Sequence, residues 1–159
     1  MQRTTRLRIV LTAAAFIAAL VLTWIVVREP TVPLTPELLR TARGRWSSAS
    51  VADYDLRYRM HGTEYAVKVR GGIVTEVLAD GRLARTADAR GYGMNGLFDL
   101  LATELENASD PQGPFAGSNT TMVMRVRFHP QLGYLERYLR SGGGARPAAI
   151  ELIEFAAIE

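Results

Sequence analysis

Ile9 to Val27 is an unbroken apolar run of 19 residues, preceded by Arg3, Arg6 and Arg8. As a helix it reaches about 28 Å, close to the hydrocarbon thickness of a bilayer. No charge interrupts it, and Trp24 stands near its far end, where an indole favours the headgroup level. The run is longer than the apolar core of a cleavable signal peptide. It also ends in Trp24-Ile25-Val26-Val27-Arg28, bulky where a signal peptidase needs small residues. Ala13 to Ala15 and Ala18-Ala19 fall too early to mark a cleavage site, and the chain has no cysteine to take a lipid. A retained signal anchor is therefore expected. Three arginines before the run, against Arg28 and Glu29 after it, place the N-terminus in the cytoplasm and the remainder outside. A buried helix of a soluble domain would instead show a polar stripe. The small-xxx-small pairs Ala14/Ala18 and Ala15/Ala19 are compatible with helix dimerisation and equally with an alanine-rich composition.

The formal charge of +3 belongs to this segment and its flanks, through Arg3, Arg6, Arg8 and Arg28 against Glu29. Beyond Pro30 stand 15 basic and 15 acidic side chains, so the basic pI is a topology signal and nucleic acid is not an expected partner. About 130 residues remain, enough for one modest core held by packing without disulfides.

Pro30, Pro33 and Pro36 suggest a short stiff stalk. Thr35-Pro36-Glu37 is a helix start: a capping hydroxyl, a proline in the first turn, and an acid against the dipole. Leu38, Leu39, Ala42 and Trp46 then share a face, and Ser47 to Ser50 ends the helix. Tyr54, Leu56, Tyr58 and Met60 alternate with Asp55, Arg57 and Arg59 as in a half-buried strand. His61-Gly62-Thr63 turns the chain into Tyr65, Val67 and Val69, which alternate with Ala66, Lys68 and Arg70. At the next turn, a two-residue Gly71-Gly72 loop would set Glu76 opposite Val67 on the core face. A three-residue loop, Arg70 to Gly72, pairs Val69 with Ile73, Val67 with Thr75 and Tyr65 with Val77. Avoidance of a buried charge favours the three-residue loop.

Asp80-Gly81 closes this hairpin, and 82–93 reads as a polar connection. Asn95 is the expected cap of a second helix, with Met94, Leu97, Phe98, Leu101 and Leu105 on one face and Asn107 at its close. A long loop, 108–119, follows. Met122, Met124, Val126 and Phe128 alternate with Val123, Arg125 and Arg127 in a further strand. His129-Pro130-Gln131-Leu132-Gly133 turns it into Tyr134 to Arg140. After Ser141-Gly142-Gly143-Gly144 a last strand runs from Ile150 to Phe155, its inward face open between Ile150/Leu152 and Ile153/Phe155. Strands clustered as hairpins imply an α+β domain, an antiparallel sheet of five to six strands packed against one or two helices.

Signals for chemistry are sparse. Two histidines, His61 and His129, both in turns, with no cysteine do not make a metal site by spacing. Gly91-Tyr92-Gly93-Met94-Asn95-Gly96 matches the dinucleotide fingerprint but follows no apolar strand of a βαβ unit, so its glycines are read as a tight entry into the helix. No Gly-x-Ser-x-Gly elbow is present, and Asp88, Asp99 and Asp110 read as ordinary solvated acids. Asn107-Ala108-Ser109 and Asn119-Thr120-Thr121 have the form of glycosylation sequons. No catalytic residue, cofactor or metal is expected. The sheet face opposite the core should gather Arg57, Arg59, Lys68, Arg70, Arg125, Arg127, Tyr134, Tyr138 and Arg140, against Asp55, Glu64, Glu76 and Glu136. Arginine with tyrosine is typical of interfaces, and a basic face could meet anionic envelope polymers or lipid. The alternative is a solvated face covered by long side chains and cross-strand ion pairs.

Several of these stretches also resemble one bacterial family. Trp46, Asp53-Tyr54-Asp55-Leu56, Tyr65-Ala66-Val67-Lys68-Val69 and Gly71-Gly72-Ile73-Val74 occur in its order. Gly96-Leu97-Phe98-Asp99-Leu100-Leu101 and Phe128-His129-Pro130-Gln131-Leu132-Gly133-Tyr134 continue it. The chain is similar in this way, from about Leu38 to Phe155, to the domain of unknown function six-one-seven-four. That resemblance implies a secreted, lipid-anchored or membrane-anchored small domain, and brings no catalytic residues with it. Members often carry cysteines between the first two strands, where this chain has His61-Gly62, and a proline where it has Leu135.

The expectation is a cytoplasmic tail (1–8), a transmembrane helix (9–27), a stalk (28–36) and an extracytoplasmic α+β domain (37–159). Its expected partners are the membrane, through Ile9 to Val27, and another envelope protein or an anionic envelope polymer. Two other activities stay open: an envelope hydrolase using His61 or His129 with a carboxylate, and a small-ligand carrier with an apolar cavity between helix and sheet.

Overall fold

The computed structural model describes residues 31–85, 88–116 and 120–158. The apolar run Ile9 to Val27 lies outside them. Among the described residues no helix is long and apolar enough to cross a membrane.

The described chain is α+β, an eight-stranded antiparallel sheet with two helices. In chain order the elements are β1 (Val32–Pro33), α1 (Pro36–Ala49), β2 (Tyr54–Met60), β3 (Thr63–Arg70), β4 (Ile73–Ala79), β5 (Arg82–Leu83), a 3-10 turn (Ala89–Tyr92), α2 (Met94–Ser109), β6 (Val123–Phe128), β7 (Leu135–Ser141) and β8 (Ala148–Ala157). The sheet order is β1-β6-β7-β8-β2-β3-β4-β5. Two hairpin groups thus meet where the long β8 pairs with β2. The sheet is wider than the sequence suggests because two-residue strands close both edges, a device that blunts edge-to-edge pairing.

One edge strand comes from the expected stalk. Val32 and Pro33 pair with Val126 and Arg125, the Leu34 N–H donates to the Met124 carbonyl at 3.0 Å, and Leu34 is buried. From Thr31 onward, therefore, the segment is part of the domain.

The helix start is as expected: Thr35 Oγ1 accepts from the Leu38 N–H at 3.2 Å, with Pro36 in the first turn. Leu39, Ala42 and Trp46 are the buried stripe of α1, and Met94, Leu97, Phe98 and Leu101 that of α2. Both stripes lie in one core cluster with Tyr54, Leu56, Tyr58, Val67, Val69, Val126, Leu135, Tyr138 and Ile150. Aromatic rings knit the layers: Trp46 meets Tyr54 and Phe155 edge-on at 5.3 and 5.8 Å, and Phe98 stacks on Phe128 at 5.9 Å. No charged side chain is buried in this core among the described residues.

Three β-bulges set which side chains reach it. The β3–β4 connection is the two-residue Gly71-Gly72 turn, with φ of 57° and 76°, not the expected three-residue loop. Arg70 pairs with Ile73 and Val69 with Val74; the register then slips at Thr75, so Glu76 falls opposite Lys68 and Val77 opposite Val67. The physical constraint was sound, since Glu76 does avoid the core. A bulge meets it, not a longer turn. In β8 a slip at Ile153 brings Ile150, Leu152 and Phe155 all to the core side, which resolves the open inward face. The third slip is in β7, between Leu135 and Arg137, at Glu136.

Asn95 does not cap α2. Gly93 holds the N-cap position without a side-chain bond, and Asn95 Oδ1 accepts from the Trp46 indole N–H at 3.1 Å. The buried Met94 N–H of the first turn, which has no partner within the helix, donates to the Tyr54 hydroxyl at 3.0 Å. The helix continues past Asn107 to Ser109.

Candidate interaction surface

Both helices pack on one side of the sheet, and the other side carries a ladder of charges. Outward-facing positions of β2, β3 and β4 supply Asp55, Arg57, Arg59, Glu64, Lys68, Arg70 and Glu76, and those of β6 supply Arg125 and Arg127. Cross-strand registry pairs them closely. Lys68 Nζ lies 2.9 Å from Glu76, Arg70 2.8 Å from Asp55, and Arg127 Nε 2.6 Å from Glu136. Arg57 stands between Glu64 at 3.6 Å and Glu154 at 3.4 Å, and Arg59 lies 3.7 Å from Glu64. Arg125 turns to the edge strand, where Nε donates to Thr31 Oγ1 at 2.9 Å and Nη2 to the Thr31 carbonyl. Most of these pairs are open to water, so each contributes about 0–1 kcal/mol and their main effect is to cover the face.

Six of the nine expected surface residues are therefore where the alternation placed them: Arg57, Arg59, Lys68, Arg70, Arg125 and Arg127. The other three are not. The bulge at Glu136 shifts the phase of β7, so Tyr138 and Arg140 turn to the helix side. Tyr138 is fully buried and its hydroxyl donates to Glu104 Oε2 at 3.2 Å. Arg140 donates from Nη1 to both Glu104 oxygens, at 2.7 and 2.5 Å, and from Nη2 to the Arg146 carbonyl at 3.0 Å, with its guanidinium over the Phe115 ring. Tyr134 stacks between His129 and Phe155, at 4.5 and 4.4 Å. The signal in the sequence was Leu135-Glu136-Arg137-Tyr138, where two adjacent charges interrupt strict alternation.

Alternation also missed acids. Glu151 and Glu154 of β8 lie at the centre of the outer face, opposite Arg59 and Arg57, because β8 is inserted between β7 and β2. With them the face is a mixed ladder of both signs, not a basic one. A shallow depression of about 250 Å³ opens on it over Ala66, Leu78 and Ala156, rimmed by Arg57, Lys68, Glu76 and Glu154.

The two histidines stand at opposite ends of the sheet. His61 follows the Met60–Ile150 pair, whereas His129 lies beyond Phe128–Leu135, at the end where Tyr54 meets Ala157. His129 Nδ1 accepts the Leu132 N–H at 3.1 Å, which locks the turn. Neither histidine is ion-paired to a carboxylate among the described residues, and those residues hold no group of three or more metal-ligating side chains. Asp99 pairs with Arg43 at 2.7 Å, Asp110 accepts the Gln112 N–H at 2.8 Å, and the Asp88 carboxyl is held below its ordinary pKa by its hydrogen bonds from Arg90. The glycines of the Gly-x-Gly-x-x-Gly run serve packing. A Cβ on Gly96 would lie 2.4 Å from the Gly91 backbone, and one on Gly93 would press Val74 and the Tyr54 hydroxyl.

No protein-family model, curated protein or solved structure matches this chain.

Proposed function

We propose that this chain is a single-pass membrane protein, N-terminus in the cytoplasm, whose α+β domain acts outside the bacterial cytoplasmic membrane as a non-catalytic binding or assembly module. The anchor is Ile9 to Val27, and membership of the domain of unknown function six-one-seven-four is part of the same reading. The observation that carries the binding role is the outer face of the sheet, covered by no helix among the described residues, where ion-paired arginines, Lys68 and glutamates surround the depression over Ala66, Leu78 and Ala156. Because both signs alternate there, the partner that fits is another envelope protein with a mixed surface. A uniformly anionic polymer would meet the six carboxylates of the face as well as its cations.

The test is site-directed photocrosslinking in intact cells from a residue replaced at Ala66, with a C-terminal tag. The tag should be digested by protease added to sealed spheroplasts, and one discrete crosslinked species should form that is lost in Lys68→Glu/Arg57→Glu. A protected tag would overturn the topology. A smear unaffected by the double charge reversal would overturn the sheet-face role.

A further inference from the structure

At the end of the sheet that carries the His61–Gly62 turn, a cavity of about 450 Å³ opens over β2, β7 and β8. Its origin is a mismatch in strand length. The last β2–β8 pair is Met60 with Ile150, and the chain then turns away, while β8 continues back to Ala149 and Ala148, paired only with Leu139 and Arg140 of β7. Two alanines in that overhang leave a hollow where larger side chains would fill the surface. Leu139, Pro147 and Ala149 line it with apolar surface, Arg59, His61 and Glu151 bring polar groups to it, and the Arg140 guanidinium at its wall is already neutralised by Glu104.

Those polar groups have open valence. Arg59 has its nearest acid, Glu64, at 3.7 Å, beyond a hydrogen bond. The Glu151 carboxylate is opposite Arg59 and Arg137 in register, yet is ion-paired and hydrogen-bonded to neither among the described residues. The His61 imidazole likewise has no hydrogen-bond partner among them. A simple anion would suit Arg59 and be repelled by Glu151; a simple cation would meet the reverse. A ligand bearing both charges close together satisfies both sides, and the volume suits a small molecule.

We propose that this cavity binds a free α-amino acid with an apolar side chain. Its carboxylate is received by Arg59 and His61, its ammonium by Glu151, and its side chain lies on Leu139, Pro147 and Ala149. The site is separate from the depression on the outer face and does not depend on the membrane reading.

The experiment uses the full chain in lipid nanodiscs, with amide chemical shifts followed during titration with L-leucine, 4-methylpentanoate or isopentylamine to about 20 mM, the weak-affinity range. The last two lack one charge each. Leucine should move amides near 59–62 and 147–151, with each single-charge analogue at least about tenfold weaker. Arg59→Gln and Glu151→Gln should each weaken leucine about tenfold, and Ala149→Trp should fill the hollow and remove binding while the rest of the spectrum stays in place. Arg40→Gln, exposed on α1 and outside the cavity, should leave affinity unchanged. Equal affinity for the three ligands, shifts scattered over the domain, no shift at the highest concentration, or leucine binding that survives Ala149→Trp would each overturn the proposal.

Discussion

Arg140 joins more segments than any one interaction in its strand. Its guanidinium ties β7 to Glu104 of α2, to the Arg146 carbonyl after the glycine loop, and to the Phe115 ring. Arg140 and Glu104 are only 12% and 18% exposed, so removing one leaves the other poorly hydrated. Arg140→Ala should cost about 2–3 kcal/mol in urea unfolding, more than truncation of an exposed outer-face cation such as Arg59. Beside it, burial raises the Tyr138 hydroxyl pKa well above the ordinary 10.0, with Glu104 adding to the rise; burial does the same for Tyr58, helped by Tyr65 and Tyr92. In the unfolded chain both ionise near about pH 10, so their contribution to stability is complete below that pH and declines above it, towards the higher folded-state values. Tyrosinate absorbance should accordingly show Tyr58 and Tyr138 ionising only together with loss of far-ultraviolet dichroism. Ionisation of either in the intact fold near pH 10 would contradict their burial.

At the level of elements, the bulges decide what sequence periodicity could and could not reveal. Both helix faces, the β2 and β3 alternation and that of β6 were legible, because each is an uninterrupted period of 3.6 or 2. The phases of β4, β7 and β8 were not, because one inserted residue reverses every later side chain. The unresolved choice between Ile150/Leu152 and Ile153/Phe155 was itself the mark of a bulge: Ile150 and Leu152 face the core on one side of it and Phe155 on the other, with Ile153 left outside. That assignment predicts an asymmetry between neighbours. Phe155→Ala, which takes a ring from Trp46, Tyr54 and Tyr134, should cost about 2–4 kcal/mol, whereas Ile153→Ala, at a residue 39% exposed, should stay within about 0.5 kcal/mol. The glycine-rich entry to α2 makes a second demand. Gly96→Ala must displace the Gly91 backbone and should cost about 1–3 kcal/mol by thermal melting.

For the whole domain, the two sides of the sheet divide their tasks. The helix side contains the packed core, and the outer side carries exposed charge pairs whose net energetic effect is small. Exchanging Lys68 and Glu76 (Lys68→Glu with Glu76→Lys) should change stability by less than about 0.5 kcal/mol, as read from urea midpoints. Of the candidate surface, sequence reading recovered the cations of β2, β3 and β6. It could not recover Glu151 and Glu154, since which strand lies at the centre of a sheet is set by long-range pairing, not by local pattern.

Val32, Pro33 and Leu34 seal the β6 edge and plug the core beneath it. The place to cut this protein is therefore earlier than its first helix. A shortened chain starting at Thr35 would keep the capped helix yet bare the backbone of Met124–Val126, and its molecules would zip together along that seam.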